Sequence, residues 1–340
     1  MTGDFQRRDL FAAAAAIGWG VSLTQPAAAQ PAVPPAAGTI VVTLLGTGSP
    51  QLSSTRFGPA TLVEAGPLRL LFDAGRACSI RLNQAHVPLG GIDAVFLTHY
   101  HSDHTNGLPD LWACGFIQAP YFGRKTSLRV FGPPGAQRLC DNLHAAYADD
   151  IRIRMADEGT PEAATGIVAR EFPEDGGVVL DEDGVRVTSF AVNHGPLIRP
   201  AVGYRVDYAG HSVLISGDTK YDERVIAHGK GVDLLIHEVC TTPAGLEGFP
   251  QAKAVSAHHT SPEEAGQVFA LAQPRMAAFT HFVELARPGF PKVPTAEIEI
   301  QTRRHWSGPL TIGEDLTRFS IADAITVTRL PQPDGYWPGF

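Results

Sequence analysis

Apolar residues along this chain fall in short, nearly continuous runs, and run after run stops at a histidine or an aspartate. Runs of this length read as strands. Thr39–Leu45 is the first, ending in Gly46–Thr47–Gly48–Ser49–Pro50. Ala60–Glu64 and Arg69–Phe72 follow, the second stopping at Asp73–Ala74–Gly75. Ala94–Leu97 leads into Thr98–His99–Tyr100–His101–Ser102–Asp103–His104. Val185–Val192, which alternates, stops at Asn193–His194; the apolar runs resume with Ser212–Ile215, ending at Ser216–Gly217–Asp218, Val232–Ile236 at His237–Glu238, and Met276–Phe279 at Thr280–His281. One such ending is ordinary; this many place the chemistry of the chain along one rim of a sheet.

Other segments give the frame. Residues 128–131 and Val202–Tyr208 read as strands, and Leu310–Leu330 as two more. Gly132–Pro133–Pro134–Gly135 opens a helix over Ala136–Tyr147, with Leu139, Leu143 and Ala146 at core spacing. Ser261, Pro262 and Glu264 start another helix through a capping box, leaving His259 in the loop before it. Residues 149–175 carry no clear period and read as a surface excursion.

The pattern H-x-H-x-D-H at His99, His101, Asp103 and His104 is a metal-ligand pattern. Imidazole and carboxylate on a loop fixed by a strand end suit zinc or a similar divalent ion. Asp73, at a strand terminus, has three readings, a metal ligand, an outer carboxylate that orients a ligand imidazole, or a turn-forming residue, of which the second is favoured. Gly46–Pro50 lacks the following helix and lysine of a phosphate-cradling loop, which argues against a nucleotide site.

The chain has 340 residues and a formal charge of -8, enough to bury a large core and without the positive surface on which nucleic-acid binders rely. Residues 1–29 stand apart: Arg7–Arg8, a modest apolar stretch from Ala12 to Leu23, and the small residues Ala27–Ala28–Ala29. This resembles a cleavable twin-arginine signal, and implies passage through that export machinery to the periplasm with no stable membrane anchor. Residues 30–38 read as a Pro- and Ala-rich linker, and 39–340 as the folded domain. Cys78, Cys114, Cys140 and Cys240 lack C-x-x-C spacing and read as buried hydrophobes.

With these motifs assembled, residues 39–330 resemble the metallo-β-lactamase-fold hydrolases, most closely the ribonuclease Z and metallo-arylsulfatase branch. The resemblance rests on Gly46–Pro50, Asp73–Ala74–Gly75, the H-x-H-x-D-H run, His194, Ser216–Gly217–Asp218–Thr219, His237–Glu238, His259–Thr260–Ser261 and Thr280–His281–Phe282. It implies an α/β protein, an αββα sandwich with two divalent metal ions, zinc foremost, at one sheet edge. His99, His101 and His194 would hold one ion, Asp103, His104 and His281 the other, and Asp218 both. A water shared by the ions would be the nucleophile, and His259, beside Glu238, would protonate the leaving oxygen.

In that branch, tRNA-processing members carry a long arm between the matching histidine and the bridging aspartate. Here only 24 positions run from His194 to Asp218, and strand residues fill them. The expected substrate is therefore a small sulfate or phosphate ester and no nucleic acid, with a homodimer as a possible assembly. A lactonase or β-lactamase, a hydrolytic aryl dehalogenase and a non-catalytic carrier on the same fold are the alternatives.

Overall fold

The computed structural model describes residues 36–118 and 123–332. The signal-like segment, most of the linker and the aromatic tail 336–340 lie outside them. Six strands come first: β1 (Ile40–Gly46), β2 (Ala60–Ala65), β3 (Leu68–Phe72), β4 (Ala94–Phe96), β5 (Leu128–Gly132) and β6 (Ile167–Glu171). Then follow β7 (Gly176–Glu182), β8 (Val185–Ala191), β9 (Val202–Tyr208), β10 (His211–Ile215), β11 (Leu234–Thr241), β12 (Met276–Glu284) and β13 (Leu310–Ile312), and finally β14 (Thr317–Ile321) and β15 (Ile325–Arg329). They form two mixed sheets, in the orders β15-β14-β1-β2-β3-β4-β5-β6 and β13-β12-β11-β10-β9-β8-β7.

Among the described residues ten α-helices connect them: α1 (Cys78–Gln84), α2 (Ser102–Thr105), α3 (Leu108–Gly115), α4 (Ala136–Ala146), α5 (Ala148–Asp157), α6 (Glu162–Thr165), α7 (Glu223–Gly229), α8 (Pro250–Ser256), α9 (Pro262–Ala272) and α10 (Thr295–Thr302). No described helix is long and apolar enough to cross a membrane.

The apolar runs are continuous because each central strand is covered twice. Val42, Phe72, Phe96, Val206, Ile215 and Ile236 pack between the sheets. Their neighbours in sequence face outward: Leu71 and Val95 meet Leu82, Leu111 and Trp112 of α1 and α3, and Leu214 and Leu235 meet Val268 and Phe269 of α9. The result is the αββα sandwich.

Several elements differ from the sequence reading. Residues 149–175 contain most of α5, all of α6 and β6; α5 buries only Ile151, so its period is faint. Three strands, not two, fill 310–330. On α4 the buried positions are Ala136 and Cys140, with Leu139 and Leu143 half-buried and Ala146 exposed. All four cysteines are free.

Two contacts carry the fold to the rim. Phe72, Phe96 and Phe131 stack across β3–β5 at centroid distances of 4.9 and 4.8 Å. Tyr204 of the opposite sheet leans on that stack, and its hydroxyl donates to the Leu97 carbonyl at 2.5 Å, one residue before Thr98. Buried Asp315 accepts from Thr47 N at 2.9 Å, Phe57 N at 2.8 Å and Arg81 Nη2 at 2.9 Å, while the Thr47 carbonyl accepts from Phe282 N at 2.8 Å. Arg81→Met strands a buried charge and should cost about 3–5 kcal/mol. Chemical denaturation checks this; a loss below about 1 kcal/mol would show that the Thr47 hydroxyl and the backbone donors of Thr47 and Phe57 satisfy Asp315 without Arg81.

Candidate metal centre

Strands β3–β6 are parallel in one sheet and β10–β13 in the other. Their carboxyl ends meet at one edge, where open α/β sheets place ligands. From β4 the chain delivers His99, then His101 at the cap of α2, then Asp103 and His104 within that single turn. From the second sheet come His194 after β8, Asp218 after β10 and His281 within β12.

His281 reaches the edge through a bulge. Glu238 of β11 faces Thr280 and Val239 faces Phe282, leaving His281 as an extra residue at φ 43°. A bulge re-aims one side chain without ending the strand, so β12 runs on to Glu284, past the end that the sequence suggested.

The donors form two groups that share one carboxylate. His101 Nδ1 lies 3.0 Å from His99 Nε2 and 3.4 Å from His194 Nε2. His104 Nε2 and His281 Nε2 are 3.2 Å apart, and Asp103 Oδ2 is 3.5 and 3.3 Å from them. Asp218 Oδ2 reaches across both groups: 3.2 Å to His281, 3.3 Å to His104, 3.7 Å to His194 and 3.9 Å to His99. A tetrahedral zinc with bonds of 2.0–2.1 Å has ligand–ligand edges of about 3.3 Å. The donor set therefore fits a divalent ion in each group.

Outer hydrogen bonds fix which nitrogen each ring presents. The Asp73 carboxylate accepts from His104 Nδ1 at 2.7 Å, and His194 Nδ1 donates to the His258 carbonyl at 2.9 Å. Thr98 Oγ1 lies 3.0 Å from His99 Nδ1 and donates to Asp73 at 2.9 Å. In both pairs and in His99 the Nε2 atoms are left facing inward. Thr98 was not singled out in the sequence, because a threonine before a histidine carries no signal of its own.

Ligation needs neutral imidazole and ionised carboxylate. His104 departs from this: burial lowers its proton affinity, but Asp218 and Asp73 outweigh burial and hold it well above the ordinary imidazole range, so an ion there would displace its proton. Burial holds His99 well below the ordinary imidazole range and, against the opposing charge of Asp218, brings His194 down to about 3. His101 is lowered too, again chiefly by burial. Burial is the largest single influence and works against ionising Asp103 and Asp218, yet both lie below the usual carboxylate range: for Asp103 the His281 hydrogen bond and the charges of His104 and His281 together outweigh it, and for Asp218 the charges of His281, His104 and His99 with the His104 hydrogen bond.

His259 has a different role open to it. Its Nδ1 is 2.8 Å from Glu238 Oε1, which also accepts from Thr219 N at 3.1 Å. A ring nitrogen of His259 lies within 4.8 Å of the inward atoms of Asp218 and His281. Burial lowers its proton affinity, but Glu238 overrides this and raises it to about 9. A protonated imidazole thus stands beside the metal-binding edge. His237 does not join it: its ring is fully buried, packs on Phe269, and Nδ1 donates to the Glu238 carbonyl at 2.8 Å.

Two back-to-back sheets, outer helices and this shared-carboxylate edge define a metal-binding αββα hydrolase fold. The model of the Beta-lactamase superfamily domain matches residues 68–282, and the chain belongs to that superfamily of metal-dependent hydrolases. It is 33% identical over 292 residues to a protein named ribonuclease Z from Mycobacterium sp. (strain KMS), a match that covers 85% of this chain and 98% of the relative. Among solved structures, the metallo-beta-lactamase fold protein YhfI from Bacillus subtilis is similar at a TM-score of 0.63 and 21% identity, over 83% of this chain and 99% of that one. The short form of human tRNase Z is similar at 0.57 and 23%, over 86% and 99%.

Proposed function

We propose that this chain is an exported hydrolase of a small phosphodiester or aryl sulfate, with two divalent ions, zinc foremost, at the shared-carboxylate edge. The observation that carries the reading is Asp218 Oδ2 between two complete donor groups, with the His259–Glu238 pair alongside. Ions held there would supply Lewis acidity, acidifying a water and offsetting charge at the attacked centre. The protein's own part is then positional and acidic. Thr98, Asp73 and the His258 carbonyl keep the ligand rings in one orientation, and His259 gives its proton to the leaving oxygen while Glu238 balances the imidazolium.

The named relative supports phosphoester chemistry. A small substrate is supported by the stretch between His194 and Asp218, where a short loop leads into the tightly paired β9–β10 hairpin, and by the acidic net charge. The twin-arginine segment at 1–29 supports export of a mature domain beginning near residue 39.

The test is a metal count on the mature protein with a matched screen: bis-p-nitrophenyl phosphate, p-nitrophenyl sulfate, a lactone, a chlorinated aromatic and a precursor tRNA transcript. Two ions per chain and turnover of one of the two small esters is the expected result. Turnover confined to the lactone, the halide or the RNA would overturn the substrate while keeping the fold.

A further inference from the structure

Beside the metal edge lies a cavity of about 190 Å³ that none of the proposed metal ligands lines. His259 forms part of its wall, so one imidazole belongs both to the metal-binding edge and to this space. The rest of the wall mixes hydrogen-bonding side chains, among them Thr241, Glu264 and Gln301, with Cys240, Pro262 and Val293. The volume leaves room for a small polyol or one sugar ring.

Two features point to what the cavity takes. Thr241 is 4% exposed, and its Oγ1 is buried with no hydrogen-bond partner. Buried hydroxyls are almost always paired, so an unpaired one on a cavity wall favours a guest that brings a donor or acceptor. Glu264 is the second feature. Its Oε2 is taken up by Ser261 N at 2.9 Å and Ser261 Oγ at 2.7 Å, and its charge on the wall disfavours a second anion in the cavity. An aryl ring would leave Thr241 unpaired; a phosphorylated group would face Glu264.

On the reading that His259 protonates the leaving oxygen, whatever is bonded to that oxygen must lie beside His259. We infer that the cavity is the leaving-group subsite and that it selects a neutral, hydroxyl-bearing alcohol such as glycerol. In the step itself water adds to phosphorus, the bond from phosphorus to the alcohol oxygen breaks, and the His259 proton passes to that oxygen. The products are a phosphomonoester and the free polyol.

A matched pair of diesters tests this: methyl glyceryl phosphate and methyl n-propyl phosphate, of equal chain length and differing by two hydroxyls. The metal-loaded protein should favour the glyceryl ester in kcat/KM by at least about tenfold, since a site built for hydroxyls rejects an analogue lacking them. Thr241→Val should bring the ratio toward one, and Thr241→Ser should restore it. Gln301→Met, on a different element, repeats the test if the valine variant does not fold, as judged by its metal content. Equal kcat/KM for the pair, or a ratio untouched by both Thr241→Val and Gln301→Met, overturns the subsite. Failure to cleave the pair and bis-p-nitrophenyl phosphate alike, with two ions bound, instead overturns the phosphodiesterase reading on which it rests.

Discussion

Asp218→Ala is expected to leave a folded chain that no longer retains two ions and no longer turns over any ester. The carboxylate oxygen lies 3.2–3.9 Å from nitrogens of His281, His104, His194 and His99, so it is the one anion common to both donor groups. Even the loss of an outer partner of a metal ligand lowers affinity about 10–100-fold. Removing a carboxylate that serves two sites should exceed that at each. Metal analysis after gel filtration and a p-nitrophenyl ester assay on the same sample check both effects together. Two tightly held ions in the alanine variant would show that the histidines and Asp103 suffice, and would remove Asp218 from its bridging place.

His259→Ala is expected to separate the chemistry from the metals. The variant should keep its ions, because seven other side chains supply the two groups, yet slow esters of alkyl alcohols by about 10²–10⁴, the usual worth of a general acid. Esters of p-nitrophenol, whose oxygen leaves without a proton, should slow far less. Equal losses on both would remove His259 as the acid. The pH profile gives the sign. His259 must be protonated to act, and Glu238 raises its proton affinity to about 9, so alkyl-ester turnover is present below that value and falls as pH rises through it. Cations in the adjacent groups lower the value, so the alkaline limb lies at or below about 9. Glu238→Gln should move it to lower pH.

Much of this edge was legible because of how central strands are built. A strand covered on both faces is mostly apolar, so a polar residue that breaks the run often marks its end, as at His99 and Asp218; at His237–Glu238 the same break falls inside β11, which runs on buried to Thr241. What escaped depended on partners. The bulge at His281 exists only against the register of β11, which no local pattern in Met276–Glu284 encodes. Helix α5 starts directly from Tyr147 with no capping side chain, so it lacks the punctuation that made α9 readable from Ser261 and Glu264. The cavity at Thr241 joins residues of β11, α9 and α10 that lie far apart in the sequence.

The ligands are divided between the layers: His99, His101, Asp103 and His104 follow a strand of the first sheet, and His194, Asp218 and His281 belong to the second. An ion bound at that edge is thus a clasp across the sandwich, and its affinity is linked to the cohesion of the whole fold. Occupancy at a hundred times the dissociation constant adds about 2.7 kcal/mol per site to the native state. Metal supply in the compartment where the chain folds would then set how tightly its two halves are held together.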